Sequence, residues 1–206
     1  MKLPALRAAL VFALAACGGT DTPPPPAVTG AVSGIALATV ADYGFTAAQG
    51  DCGGGSLKGS VLRVRLASTA GQCSAQQAGA AIKSTTSLNL VLEHIGASQP
   101  AAFATGTYAI SPNPQAQADH SVISATATLD KTDATCHSEV SSSSSSSGID
   151  ATSGTVTFTA ISSTAASGSF ALVFPNHGKL SGDFTTSSCA LPIAKVCTAS
   201  ASTGCQ

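Results

Sequence analysis

Alternation of apolar and polar residues is the feature that most restricts the fold of this sequence. In Leu62-Arg63-Val64-Arg65-Leu66 the aliphatic side chains fall on one face of an extended chain and the arginines on the other. Successive side chains of a β-strand point to opposite faces, so this pattern predicts a half-buried strand. Similar patterns predict about eight strands in total, the others at Val32–Val40, Leu88–Ile95, Gly106–Ile110, Ser121–Asp130, Gly154–Ile161, Ser169–Pro175 and Lys179–Thr186.

The last three predicted strands follow one another through short connections, which favour antiparallel neighbours. The second connection, Asn176-His177-Gly178, predicts a hairpin loop in which the glycine takes the left-handed conformation. With this pairing, one core face is expected to hold Phe158, Phe170, Leu172, Phe174, Leu180 and Phe184.

The chain is therefore expected to be all-β, with a single antiparallel β-sandwich or barrel over residues 32–197. Seven consecutive serines, 141–147, predict a flexible loop within it, because such a run buries no apolar surface. Residues 198–206 form a polar tail. A helix is expected only around Ser74–Lys83, where the pattern is weak.

The surface that this composition predicts is poor in charge. Only 9% of the residues are charged, against roughly 25% in an average soluble domain. The formal net charge is −1, and no cluster of lysine and arginine is present. Because binding to nucleic acid depends on such clusters, no nucleic-acid partner is expected.

Residues 1–16 have the pattern of an export signal. Lys2 and Arg7 supply a positive start, and Ala8–Ala16 is an apolar run too short to span a bilayer. The segment ends Leu14-Ala15-Ala16-Cys17, which resembles the lipobox of bacterial lipoproteins. An ordinary signal peptide cut near Ala16, with Cys17 as a free thiol, is the alternative.

The lipobox resemblance implies that Cys17 begins the mature protein and carries a diacylglyceryl thioether, with a third acyl chain in most Gram-negative species. Two or more chains hold a protein stably on a membrane. Gly18 after the cysteine implies delivery to the outer membrane. Residues 17–31 include four consecutive prolines and are expected to be an extended tether. The expected location is the cell envelope, on the outer membrane of a Gram-negative bacterium.

The other cysteines are expected to form disulfides, because an exported chain meets an oxidising compartment such as the periplasm. Many pairings are open, and the preferred set is Cys52 with Cys73, Cys136 with Cys189, and Cys197 with Cys205. Structural zinc sites normally contain a C-x2-4-C or H-x3-5-H unit, which this sequence lacks. No metal and no cofactor are expected.

No catalytic residues are expected either. Neither G-x-S-x-G nor S-x-x-K occurs, although a Ser-His-Asp site can assemble from distant positions. His94, His120 and His177 are expected to be solvated residues at strand ends and turns. Asp130 and Asp133 are expected to shape a turn, since their segment lacks the ligand spacing of a calcium loop.

The segment Gly154–Cys189 contains GTVTFT, GSFALVF and LSGDF before its closing cysteine. This pattern resembles a recurrent ending of small envelope lipoproteins of myxobacterial type. The resemblance implies architecture and location and carries no activity.

Three functions remain open. The first is a non-enzymatic, lipid-anchored envelope protein that acts as a structural or interaction module, held to the membrane through Cys17 and contacting an envelope protein. The second is a lipocalin-like binder of a small apolar ligand, because closed eight-stranded barrels can hold one small molecule. The third is a hydrolase with a dispersed Ser-His-Asp site, which predicts labelling of one serine by a fluorophosphonate.

Overall fold

The computed structural model describes residues 28–52, 57–140, 148–191 and 204–206. The leader, Cys17, most of the expected tether, the serine run 141–147 and Cys197 lie outside the described residues. None of the helices within these ranges is long and apolar enough to cross a membrane.

The described residues confirm an all-β fold. The strands are β1 (Val28–Ala31), β2 (Asp42–Cys52), β3 (Leu57–Ala67), β4 (Ala80–Ala81), β5 (Thr86–Gly96), β6 (Gly106–Ala116), β7 (Val122–Lys131), β8 (Ile149–Asp150), β9 (Ser153–Ile161), β10 (Ala165–Val173), β11 (Lys179–Ser188) and β12 (Gly204–Cys205). One α-helix, α1, spans Gln72–Ala78, and a short 3-10 helix spans Pro175–His177. The sheet begins at Val28, four residues earlier than the predicted start of the domain.

Ten strands form one sheet that coils until its two sides meet. Its order is β1-β11-β10-β9-β6-β7-β5-β3-β2, with β8 paired to β7. Neighbours are antiparallel except for β11 and β2, which run parallel where Ser187 faces Gly44 and Ser188 faces Phe45. Seven antiparallel steps separate β2 from β11, so simple closure of the sheet would bring these two strands together antiparallel. Their two-residue parallel contact is therefore a departure from regular closure.

The apolar core lies inside this coiled sheet, and the alternation in β3 places its residues correctly. Leu62, Val64 and Leu66 are at most 1% exposed. They face the leucines of β5, with Leu62 opposite Leu92 and Leu66 opposite Leu88. Full burial of such a side chain stabilises the fold by about 1.5–3 kcal/mol. A slip of one residue would turn the whole row outward, so burial fixes the register.

The predicted C-terminal meander is confirmed. β9, β10 and β11 are antiparallel neighbours, and all the predicted core residues are buried: Phe158, Phe170, Leu172, Phe174, Leu180 and Phe184. The role predicted for Gly178 is wrong. Asn176 (φ 57°) and His177 (φ 61°) take the left-handed conformation, whereas Gly178 has φ −60°. Gly178 is instead close to Val32, 3.1 Å from where a Cβ would lie.

The strand predicted at Val32–Val40 is also wrong. Val32 and Ile35 form an isolated bridge around a turn, and no strand follows until β2. Val32, Leu37 and Val40 are nevertheless buried, so their spacing reflects burial without a ladder of hydrogen bonds.

The sequence pattern missed β2, which contains two glycines. The observed helix α1 starts two residues before the predicted start at Ser74 and ends before the predicted end at Lys83. Gly79 closes it in the left-handed conformation (φ 72°).

Candidate functional site

A row of polar side chains crosses the inner face of the sheet at one end. Gln49 on β2 lies opposite Ser60 on β3, and Ser60 lies opposite His94 on β5. Side chains two residues apart share a face of a strand, and the next positions inward are Ala47 and Leu62. The apolar interior therefore gives way to polar groups within one step along the strands.

The segment 97–105 crosses this end of the sheet and is fastened to the polar row. The carbonyl oxygen of Pro100 accepts hydrogen bonds from Gln49 Nε2 at 3.0 Å and from Ser60 Oγ at 2.9 Å. Gln49 Nε2 also donates to Ser60 Oγ at 2.9 Å. Because a carbonyl oxygen can only accept, its contact with Gln49 identifies the nitrogen end of that amide. The other end, Oε1, is an acceptor.

A cavity of about 180 Å³ lies between this segment and the inner face of β2 and β3. Its walls are mostly apolar, with Ala47, Leu62, Phe103 and Ile161 among them, and Gln49 supplies a polar group. Within the described residues, the pairing of β11 with β2 stops at its second residue pair. Ala47 and Gln49 are therefore exposed although they lie on the inner face of the sheet, and the cavity opens to solvent beside them.

Aromatic packing holds the outer wall of the cavity. Phe103 contacts Tyr108 edge to face, with the ring centroids 5.6 Å apart. The Tyr108 hydroxyl donates to the carbonyl of Ala104 at 2.7 Å, which ties the segment to β6. Tyr108 in turn contacts Phe158 in the core. The wall is thus continuous with the main core.

The sequence reasoning missed this site. Gln49 lies in the undetected β2, and Ser60 lies in the glycine-containing start of β3, outside the clear alternation. No sequence pattern around Phe103 indicates a place in a cavity, because its position depends on where the segment 97–105 crosses the sheet. No local pattern brings these three residues together.

Beside the cavity, three side chains form a hydrogen-bonded chain. His94 Nε2 lies 2.7 Å from Ser121 Oγ, and Ser121 Oγ lies 2.6 Å from Asp119 Oδ1. A carboxylate can only accept, so the single hydroxyl proton of Ser121 goes to Asp119, and His94 donates to the serine. In a catalytic serine–histidine pair the serine gives its proton to the histidine. The chain runs in the opposite direction.

Two of the three histidines that were predicted to be solvated are exposed, and the third is not. The hydrogen bond from the Ser121 hydroxyl, followed by the bond from its backbone N–H, lowers the pKa of Asp119. His94 is half-buried and bonded to Ser121, so the prediction of a solvated residue is wrong. His120 and His177 are exposed in turns, as predicted.

Asp133 shapes the turn after β7, as predicted, whereas Asp130 lies within β7 and not in the turn. Asp133 Oδ1 accepts hydrogen bonds from the N–H of Thr135 at 2.7 Å, from its hydroxyl at 2.8 Å and from the N–H of His137 at 3.0 Å. The hydroxyl bond is the largest of the effects that lower the pKa of Asp133. Asp130 accepts from Ser138 Oγ at 2.6 Å. Within the described part of the chain, no group of three or more His, Cys, Asp or Glu side chains could hold a metal ion.

The two arginines of β3 point to the outer face, as the alternation predicts, but they are half-buried there. Burial lowers the pKa of both guanidinium groups, and nearby carboxylates, Glu93 for Arg63 and Asp130 for Arg65, oppose the shift. Part of the outer face of β2 and β3 is covered by Cys189, whose carbonyl accepts from Thr46 Oγ1 at 2.7 Å.

Two disulfides join distant parts of the chain. Cys73 on α1 pairs with Cys189 after β11, and Cys136 pairs with Cys205 on β12. Cys52 is also disulfide-bonded. The predicted pairs Cys52–Cys73, Cys136–Cys189 and Cys197–Cys205 are therefore wrong.

The physical reason is the coiling of the sheet. It brings the end of β11 against β2, close to α1. Cys189 and Cys73 meet there although 116 residues of sequence separate them. The pairing of β12 with β4 likewise positions the C-terminal cysteine for Cys136, 69 residues earlier. Both pairings follow from contacts between elements that are remote in sequence.

Comparison with protein-family models, with curated proteins and with solved structures found no match.

Proposed function

We propose that the protein is a lipid-anchored component of a bacterial cell envelope, in which the β-domain acts as a structural or interaction module. The observation that carries this proposal is the state of the cysteines. All the cysteines of the described residues are disulfide-bonded: Cys52, Cys73, Cys136, Cys189 and Cys205. Disulfides persist in oxidising compartments such as the periplasm, which agrees with the export signal and lipobox that residues 1–17 resemble.

The number of cysteines is compatible with the anchor. The chain has seven cysteines, an odd number. Because a thioether would occupy the sulfur of Cys17, the proposal assigns Cys197 to Cys52, which is disulfide-bonded. Every cysteine sulfur then has a role, and the disulfide of Cys52 becomes a test of the lipid on Cys17.

The anchor is tested by expressing the full chain in a Gram-negative host and separating membranes from the soluble periplasm. We expect the protein in the membrane fraction and the Cys17→Ser variant in the soluble fraction, because the acyl chains hold the domain to the bilayer. A matched control replaces Cys136 and Cys205 together by serine, which removes two sulfur atoms and leaves Cys17. A Cys17→Ser variant that has lost residues 1–16 and still stays with the membrane would contradict the proposal.

The module is tested by cross-linking the anchored protein in intact cells and identifying the attached proteins by mass spectrometry. We expect an envelope protein that is attached to the anchored chain and is lost when the cross-linker is omitted. Recovery of the protein alone under every cross-linking condition would oppose an interaction role.

One observation favours a second candidate function. The cavity beside Gln49 and Ser60 is open to solvent and has mostly apolar walls, as a binding site for a small molecule requires. An anchored domain can also present such a site, so the two functions are compatible. Native mass spectrometry tests the second one: a retained mass that is lost on denaturation would support it, and a bare chain from every preparation would oppose it.

A further inference from the structure

We propose that the cavity under the segment 97–105 binds small amphipathic molecules that pair a compact apolar part with a hydrogen-bond donor, such as a ring alcohol. This proposal rests on the second candidate function and states its ligand class.

The size of the cavity limits the ligand. A cavity of about 150 Å³ in another protein takes up benzene, and this one measures about 180 Å³. Pockets for drug-sized ligands begin at roughly 300 Å³. A compact ligand with one ring and a short substituent therefore fits inside the cavity, whereas a long acyl chain or a large cofactor would extend into solvent through its open side.

The walls determine the apolar part. Ala47 and Leu62 line the cavity from the sheet, and Phe103 and Ile161 line it from the other side. None of the described lining residues carries a charge. An anion or cation would lose its hydration without gaining a charged partner, which is costly. A neutral apolar group is the occupant that these walls favour.

The polar wall determines the donor. Gln49 Nε2 already donates to Ser60 Oγ and to the carbonyl of Pro100. The Ser60 hydroxyl also donates to Pro100, so the donors of this pair are committed to holding the segment. Gln49 is exposed and lines the cavity, and its oxygen is an acceptor that can take a hydrogen bond without disturbing those contacts. A ligand with a hydroxyl or N–H group matches it.

The proposal is tested by NMR titration of the full chain carrying Cys17→Ser, which avoids detergent that would absorb the probes. The probes are benzyl alcohol and, as a matched compound without a donor, benzyl methyl ether. We expect benzyl alcohol to give saturable shifts of the Gln49 side-chain amide and of Phe103. Loss of one hydrogen bond should make the ether bind roughly fivefold more weakly. Equal binding of the two probes would overturn the donor requirement and leave the binding function standing.

Variants locate the binding. Ala47→Leu fills the cavity from the sheet and Ala102→Leu narrows it from the segment, and each should weaken benzyl alcohol binding at least tenfold. The matched control is Ala171→Leu, an exposed alanine on β10, which should bind as before. If neither cavity variant weakens binding, or if no saturable binding occurs, the proposal is overturned. A larger molecule retained in native mass spectra would then still support the second function and refute only the compact, donor-bearing ligand class.

Discussion

The acceptor of the Ser121 hydroxyl proton decides whether this Ser-His-Asp group can act as a nucleophilic site. The Ser121 hydroxyl donates to Asp119, and the residue is 5% exposed. A serine in that state has no base to activate it. We predict that a fluorophosphonate probe adds no mass to Ser121, as measured by intact mass spectrometry. The matched variant Ser121→Ala should likewise show no added mass. An adduct that disappears in Ser121→Ala would mean that the serine is a nucleophile.

Asp133 gives a prediction for the pH dependence of stability. Its hydrogen bonds lower its pKa below the ordinary value of 3.8. A carboxyl whose pKa is lowered by folding stabilises the fold above its ordinary pKa, and this contribution is lost as the pH falls through the lowered value. Asp133→Ala should therefore have a lower urea midpoint than the wild type near neutral pH. The gap should narrow at about pH 2.5. A gap of the same size at both pH values would contradict this role.

At the scale of elements, the bulge in β10 depends on Gly168. The register of β10 against β9 shifts between Ser167 and Gly168. A Cβ at Gly168 would overlap the backbone oxygen of Thr157 and lie 2.8 Å from Phe184 Cζ. Such overpacking typically costs about 1–3 kcal/mol.

We predict that Gly168→Ala lowers the free energy of unfolding by about 1–3 kcal/mol, measured by urea denaturation. Gly44→Ala is the matched control, because its new Cβ would meet Cys189 Cβ at an ordinary 3.5 Å. The control should change the stability by less than about 1 kcal/mol. Equal stability of the two variants would show that the bulge adjusts freely.

The disulfides Cys73–Cys189 and Cys136–Cys205 should differ in what they stabilise. Their sequence separations, 116 and 69 residues, predict chain-entropy contributions that differ by only about 0.5 kcal/mol. Cys189 is buried against Val61 and Leu191, whereas Cys205 is exposed. Replacing Cys73 and Cys189 by serine should cost about 2–5 kcal/mol in urea unfolding. Replacing Cys136 and Cys205 should cost less, and the reverse order would contradict the packing of Cys189.

For the molecule as a whole, local pattern predicted the strands that carry clear alternation. β3 and the β9–β11 meander could be recognised because each buries one face and follows its neighbour closely in sequence. The short parallel contact between β2 and β11 could not, since it joins the two ends of a series of eight strands and has no local sequence pattern. The pairing of Cys73 with Cys189 depends on that contact, and the site at Gln49 and Ser60 depends on where the segment 97–105 crosses the sheet. They were therefore outside the reach of sequence reasoning.

The proposed anchor requires Cys17 to carry the lipid while the other cysteines form disulfides. Its most direct test is the intact mass of the full-length gene product purified from the membranes of a Gram-negative host, followed by a peptide map without reduction. We predict a chain that begins at Cys17, bears two or three acyl chains and contains a peptide joining Cys52 to Cys197. An unacylated chain in which Cys17 is a free thiol, or is bonded to Cys52, would contradict the claim.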